Sequence, residues 1–187
     1  MRSLNKAPWI ARASLDGRLF GCGFGILTTP AATPATTAIT ARRPQAWLRI
    51  PDGTLVIPVS IRLLIEATGA TTQGEASIVS TTNDVGDGTS AAASISPANK
   101  NTGSAIASAC TARQLATADV TLETGIMEHH RFSFAASAVN QQFNWPAAGE
   151  EYPVLRGPAT WALYIGGNAV NFYAQFAWVE YGEAGAG

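Results

Sequence analysis

The sequence predicts an all-β protein, and more specifically a jelly-roll-like antiparallel β-sandwich with an extended N-terminal arm. Apolar and polar residues alternate with a period of two along several segments, as they do in strands that bury one face. Segments with the periodicity of an amphipathic helix are nearly absent. The connections between the predicted strands are longer than tight hairpins, which favours the Greek-key crossings of a sandwich over a simple meander.

We divide the chain into three parts. Residues 1–45 are predicted to be an extended arm or irregular segment with one short strand, residues 46–181 the sandwich domain, and residues 182–187 a flexible tail. In the short strand of the arm, large residues alternate with glycines, so another part of the protein should pack closely on the glycine side. These large residues are Phe20, Cys22, Phe24 and Ile26.

The clearest strand covers residues 54–66. Its odd-numbered positions are all apolar, which predicts that they form the face turned to the core. These positions are Leu55, Ile57, Val59, Ile61, Leu63 and Ile65. Pro58 cannot donate a ladder hydrogen bond, so it predicts a sheet edge or a bulge in this strand.

Several shorter strands follow the same pattern. Ala46, Leu48 and Ile50 share one strand face with Trp47 on the other, and further strands contain Ile78–Val79, the alternating Val120, Leu122, Thr124 and Ile126, and Phe132 with Phe134. The last block reads as a hairpin, with strands at 160–165 and 170–181 joined by a turn at 166–168. Residues 104–118 fit a short helix and a loop equally well. Residues 84–101 form a long loop, which we expect to be functional or ordered by a partner.

The composition indicates a protein that hides much of its surface against neighbours. Charged residues make up 13% of the chain, where soluble domains have about 25%. Lysine occurs twice and arginine ten times, and protein interfaces likewise favour Arg and aromatic residues over Lys and Glu. The net charge of −1 leaves no basic surface for nucleic acid.

The terminal aromatic residues are the predicted oligomer interface. Both faces of the last two predicted strands carry large apolar groups, and a strand of this kind is buried on both faces. Since a two-layer sandwich leaves one face of each sheet to solvent, we expect a partner subunit to cover the second face. The interface residues are Trp161, Tyr164, Phe172, Tyr173, Phe176, Trp178 and Tyr181.

Residue patterns that support catalysis are weak, so we predict no catalytic, cofactor-binding or metal-binding residues and no enzymatic activity. Gly21–Gly25 lacks the third glycine of a dinucleotide fingerprint, and Asn83–Gly88 does not complete a calcium loop. His129 and His130 are adjacent and would point to opposite strand faces. A cupin-like metalloenzyme using either histidine stays as an alternative. Cys22 and Cys110 are expected to be buried free thiols.

The first 20 residues lack the apolar core of a secretory signal, and no apolar run is long enough to span a membrane. We therefore expect a protein that is made in the cytoplasm, has no membrane partner and stays there unless a particle carries it out.

The terminal segments 155–165 and 172–180, together with the Gly86-x-Gly-Thr-Ser stretch and the Ser/Thr/Asn-rich loop after it, resemble jelly-roll virion proteins of tailed bacteriophages. The resemblance implies a virion structural protein without catalytic residues. It is expected to be a homotrimeric capsid decoration, or cement, protein that stabilises the head shell beside other virion proteins such as the major capsid protein. The alternatives are a tail, baseplate or head-fibre component on the same fold, and a carbohydrate-binding jelly roll that stacks sugars on Trp145 or Trp161.

Overall fold

The computed structural model describes residues 8–26, 28–33, 39, 43–68, 73–87, 93–116, 125–135, 139–146, 152–167 and 170–182. Its elements are α1 (Pro8–Leu15), β1 (Leu19–Phe24), β2 (Ala31–Ala32), β3 (Ala46–Ile50), β4 (Thr54–Thr68), β5 (Gly74–Thr81), β6 (Ala93–Ile95), β7 (Ala98–Asn99), β8 (Thr111–Gln114), β9 (Met127–Phe134), β10 (Val139–Trp145), β11 (Leu155–Arg156), β12 (Ala159–Gly166) and β13 (Val170–Gly182).

The described strands form two antiparallel sheets that pack face to face. The first sheet has the order β10-β4-β13-β1-β7, with β11 paired to β4 and β2 paired to β13. The second has the order β6-β8-β3-β12-β5-β9. The predicted all-β sandwich is therefore confirmed.

The pairing of the eight longest described strands gives the sandwich the topology of a jelly roll. In chain order these strands are β1, β3, β4, β5, β9, β10, β12 and β13. The first pairs with the last, the second with the seventh, the third with the sixth and the fourth with the fifth. A long hairpin rolled into two sheets has this nested pairing, which is the double Greek key of a jelly roll.

Large aromatic residues fill the space between the two sheets. The buried set includes Trp145, Trp161, Trp178, Phe20, Phe24, Phe172 and Phe176. The ring of Trp161 lies 4.7 Å from that of Phe176 and 5.8 Å from that of Trp145, measured between centroids. Side chains of this size give most of the apolar area buried on folding, so they dominate the stability of the core.

Strand β4 changes its core-facing side half-way along. Its register against β13 shifts between Pro58 and Ser60, so the strand contains a bulge, as Pro58 predicted. The buried positions are Thr54, Val56 and Pro58 before the bulge and Ile61, Leu63 and Ile65 after it. The odd-numbered face is therefore right only from Ile61 onward. Before the bulge, Ile57 and Val59 pack on the opposite face of the sheet.

The predicted terminal hairpin is wrong. Strands β12 and β13 lie in opposite sheets, where β12 pairs with β3 and β5 while β13 pairs with β1 and β4. The chain crosses from one sheet to the other after Gly166. The sequence pattern showed two strands and a glycine turn correctly, but strand pairing depends on contacts that are distant in sequence.

The chain itself covers the outer faces of both strands. All eight residues of β12 are buried. On its outer face, Ala162 and Tyr164 pack with Trp47, Val79, Val85 and Ala116. On the outer face of β13, Val179 packs with Leu19 and with Ile10 and Ala13 of α1, where Trp9 and Tyr181 also contribute. The second apolar face that predicted a partner subunit is thus satisfied within one chain.

The N-terminal segment contributes to the sandwich, which corrects the predicted domain boundary at residue 46. Strand β1 lies between β13 and β7, and Phe20, Cys22 and Phe24 enter the core. Ile26 follows the strand and is exposed. Helix α1 ends at Leu15, and Gly17 just after it has a φ of 69°, which favours glycine at such a position. Of the predicted arm, residues 1–7, 27, 34–38 and 40–42 lie outside the described residues, as do residues 183–187 of the predicted tail.

Close packing on the glycine side of β1 is found at one position. A Cβ on Gly21 would come within 2.4 Å of Cε of Lys100, so the lysine stem lies against the bare backbone there. Gly23 has open space instead, because a Cβ added to it would have no heavy atom within 4 Å.

The long connection between β5 and β9 extends both sheets at one side. Its short strands β6 and β8 continue the second sheet beyond β3, and β7 continues the first sheet beyond β1. Thr111–Gln114 is strand and residues 104–110 are irregular, so the described part of 104–118 contains no helix. The part of the 84–101 loop that is described is ordered by this chain. Residues 117–124 and 88–92 lie outside the described residues, and with them the predicted Val120, Leu122 and Thr124.

A buried carboxylate fixes this connection to the core. Glu180 of β13 is 8% exposed and accepts hydrogen bonds from the Ser108 hydroxyl at 2.6 Å and the Ala109 amide at 2.7 Å. The Trp178 indole N–H donates to the same carboxylate at 3.2 Å. These donors compensate the carboxylate for its lost hydration.

We expect Glu180→Ala to destabilise the fold by about 2–4 kcal/mol, because it leaves several buried donors without an acceptor. The measurement is chemical denaturation followed by tryptophan fluorescence. The control is Gln175→Ala on the exposed face of the same strand, which should change the free energy of unfolding by less than about 0.5 kcal/mol. Equal losses for the two variants would contradict this role of Glu180.

Candidate functional site

The predicted interface residues are mostly core residues, and this corrects the prediction. Trp161, Phe172, Phe176 and Trp178 lie between the sheets, and Tyr164 lies under the cover of β12. Their side chains contact this chain's own residues, so a partner cannot reach them without unfolding the sandwich. Tyr173 and Tyr181 are partly exposed, and Arg18 lies over the Tyr181 ring at 5.0 Å. Trp145 and Trp161 are 2% and 0% exposed, so neither can stack a sugar as the carbohydrate-binding alternative required.

The two adjacent histidines contact different groups. His129 Nε2 lies 2.8 Å from the Ser80 hydroxyl, and its ring lies 5.9 Å from that of Trp145. The His130 ring lies 4.5 Å from that of Phe132. Across the described residues, no group of three His, Cys, Asp or Glu side chains is placed to hold a metal ion. The pair therefore packs as part of the sheet edge.

Both cysteines are buried free thiols, as predicted. Burial raises the pKa of the Cys22 thiol to about 12, although the nearby Lys100 charge acts in the opposite direction. Burial and the neighbouring Glu180 carboxylate also raise the pKa of Cys110. A nucleophilic cysteine needs a thiolate near neutral pH, and these positions disfavour it.

A cluster of charges holds the 83–87 loop over Trp47. Arg49 donates from Nε to Asp84 at 2.7 Å and forms further hydrogen-bonded ion pairs with Asp84 and Asp87. Arg113 donates to Asp87 at 3.0 Å. The loop in turn accepts a hydrogen bond from the Trp47 indole at the Gly86 carbonyl, at 3.2 Å. These ion pairs thus hold a loop that covers the outer face of β12. We call the four charged residues Arg49, Arg113, Asp84 and Asp87 the brace.

A groove opens at one end of the sandwich, between the start of β9 and the segment that leads into β11. It has a volume of about 300 Å³ and is lined by Ser80, Thr81, Thr82, Gly125, Met127, His129, Pro153, Val154, Leu155, Arg156 and Ala159. Met127 is 61% exposed and Val154 60%. We call these two side chains the apolar rim.

A second distinctive surface lies on the outer side of the first sheet, beyond the part that α1 covers. We call it the amide face, and it consists of Arg62, Leu64, Gln142, Asn144, Tyr173 and Gln175. Asn144, Arg62 and Gln175 are direct neighbours across three strands, and so are Gln142, Leu64 and Tyr173. The amide and guanidinium side chains are exposed, whereas Leu64 and Tyr173 are half-buried.

The sheet edges are poorly suited to pairing with another chain. Strand β9 has a register shift near Ile78 and Val79 of its partner, and its edge carries Arg131 in ion pairs with Glu75 and Glu128. Strand β10 contains Asn140 with a φ of 55°. At the other side, β6 has three residues and β7 two. Bulges, charges and short strands all discourage edge-to-edge association.

No family model and no curated protein matches this sequence. In the described part of the chain, no helix has the length and apolarity needed to cross a membrane.

Sequence reasoning missed the apolar rim and the amide face. A signal existed for the first, because Met127 directly follows an alternating segment and Val154 directly follows Pro153. The amide face has no comparable signal. Its residues come from three separate strands and meet only through the register of the first sheet.

The brace predicts a pH-dependent loss of stability. Burial alone would raise the pKa of Asp84, but hydrogen bonds from Arg49 and the Gly86 amide outweigh it and hold the pKa below its usual range. A lowered pKa in the folded state means that the contribution is complete above the unfolded pKa, about 3.9, and is lost as pH falls through the folded value. Asp84→Asn should cost about 1 kcal/mol at pH 7, and this cost should fade below about pH 4.

The measurement is urea denaturation of wild type and Asp84→Asn at pH 7 and at pH 3. Asp52→Asn, on an exposed turn, serves as the control. A cost for Asp84→Asn that is the same at both pH values would show that the carboxylate charge is not what holds the loop.

Proposed function

We propose that this protein is a structural component of a bacteriophage virion, a homotrimeric decoration protein that stabilises the head shell. The virion assignment rests on the resemblance of the terminal strands described above. The observation that carries the assembly role is the apolar rim around the open groove. Large apolar side chains grouped at an exposed site mark interaction surfaces in soluble proteins.

The rim replaces the terminal aromatic residues as the contact between subunits. Met127 and Val154 flank a groove of about 300 Å³, a space that can accept a side chain inserted by a neighbour. The groove has both apolar and polar walls, with Met127, Val154 and Leu155 among the first and Thr82, His129 and Arg156 among the second. Protein interfaces likewise combine apolar and polar groups.

The protected edges support a contact through this end of the sandwich. Strand addition at β9 or β10 would have to overcome bulges and ion pairs, and β6 and β7 are too short to template it. Three copies meeting at their rims would bury Met127 and Val154 near a common axis. In a symmetric shell, repetition of such contacts multiplies weak interactions into firm attachment.

We expect Met127→Glu and Val154→Glu each to weaken trimer association by roughly 30-fold or more, because each places an unpaired charge in the contact. Size-exclusion chromatography with light scattering over a concentration series measures this. Both side chains are exposed, so the folded subunit should be retained, which circular dichroism checks.

Ile106→Glu is the matched control, because Ile106 is 50% exposed but lies away from the groove. It should leave the oligomeric state unchanged. A wild-type protein that stays monomeric at high concentration, or an equal effect of Ile106→Glu, would contradict the proposal.

A further inference from the structure

The amide face has a chemistry different from that of the apolar rim. Asn144, Arg62 and Gln175 form one row across β10, β4 and β13, and the row continues to Gly23 on β1. Gln142, Leu64 and Tyr173 form the next row. Three amides, one guanidinium and one phenol therefore point from a single sheet surface, at spacings that the strands fix.

These side chains offer donors and acceptors together. Each amide carries two N–H donors and a carbonyl acceptor, which match hydroxyl groups that also donate and accept. Gln142 and Asn144 lie 3.5 Å apart between Nε2 and Oδ1, so their amides already point along the same face. The Tyr173 phenol can likewise both donate and accept a hydrogen bond.

The face is flat and holds an aromatic ring that lies across the sheet. A Cβ on Gly25 would come within 2.9 Å of Cδ1 of Tyr173, so the ring leans over the bare glycine backbone. Gly23 has open space above it, which leaves a shelf beside Gln175. A ring in this position can stack against the C–H face of a sugar, while the amides reach the hydroxyls.

The charge and the area of the amide face argue against a nucleic acid, an acidic polymer or a second copy of this chain as its ligand. Arg62 and Glu66 offset each other, and Lys100 against Gly21 adds one positive charge beside the face, which is too little for a nucleic acid or an acidic polymer. Four strands about 4.8 Å apart and roughly five residues at about 3.4 Å give an area near 300 Å². A standard protein interface buries about 800 Å² on each partner, so this patch by itself is smaller than a standard protein contact.

We infer that the amide face is a binding site for neutral polysaccharide, with Tyr173 as the stacking ring and Gln142, Asn144 and Gln175 as the groups that bind sugar hydroxyls. The site is independent of the apolar rim and goes beyond the assembly role. It differs from the carbohydrate-binding alternative predicted from sequence, which used two tryptophans that are buried.

Affinity electrophoresis in native gels tests this inference. The probes are gels that contain amylose, a β-1,3-glucan, dextran, galactomannan or, as the anionic comparison, alginate. We expect at least one neutral polymer to retard the wild-type chain. Asn144→Ala and Gln175→Ala should each weaken retardation about fivefold, because each removes hydrogen bonds to sugar hydroxyls. Both side chains are exposed, so the fold should tolerate these changes.

Gln73→Ala is the matched control, because Gln73 is an exposed amide at the start of the other sheet. It should leave retardation unchanged. The inference is overturned if no neutral polymer retards the protein, if alginate alone does so, or if Gln73→Ala reduces retardation as much as Gln175→Ala. Because Gln175→Ala leaves the rim intact, its effect on binding is separable from any failure to form trimers.

Discussion

The burial of β12 on both of its faces is the constraint on which the rest of the structure depends. One face meets the aromatic core between the sheets, and the other needs a cover, which the 83–87 loop and Ala116 provide. Arg49 holds that loop through Asp84 and Asp87, so a surface ion-pair cluster serves the packing of a central strand. Helix α1 provides the corresponding cover for part of β13.

These covers decide which surfaces are left to interact with other molecules. Once the loop and the helix have covered the aromatic strands, the surfaces that remain include the exposed Met127 and Val154 at the rim of the groove and the exposed amides on the rest of the first sheet. The rim has the chemistry of a protein contact, and the amide face has that of a hydroxyl-rich ligand. The scarcity of charge in the sequence fits both, since neither kind of surface relies on ion pairs.

Local pattern allowed the fold class and many strands to be predicted, but not their pairing. In β3 the alternation correctly placed Leu48 and Ile50 in the core and Trp47 on the opposite face. This strand is short and has no bulge, so its side chains alternate between the two faces without interruption. In β4 the same reasoning failed before Ser60, since a bulge reverses the phase. The terminal aromatic residues were read as an interface because local sequence cannot show that a loop 75 residues away, at Val85, covers Thr160. The amide face depends on register between distant strands and was not predictable for the same reason.

Acrylamide quenching of tryptophan fluorescence, measured on the chain diluted until light scattering shows a monomer, tests most directly whether the aromatic strands are covered within one chain. Four of the five tryptophans, Trp47, Trp145, Trp161 and Trp178, are fully buried in the isolated subunit. We therefore expect most of the emission to be shielded from quencher in the monomer, with Trp9 supplying the accessible part. Quenching that approaches that of free tryptophan, or that rises sharply as the protein dissociates, would contradict internal burial and return these side chains to the subunit interface.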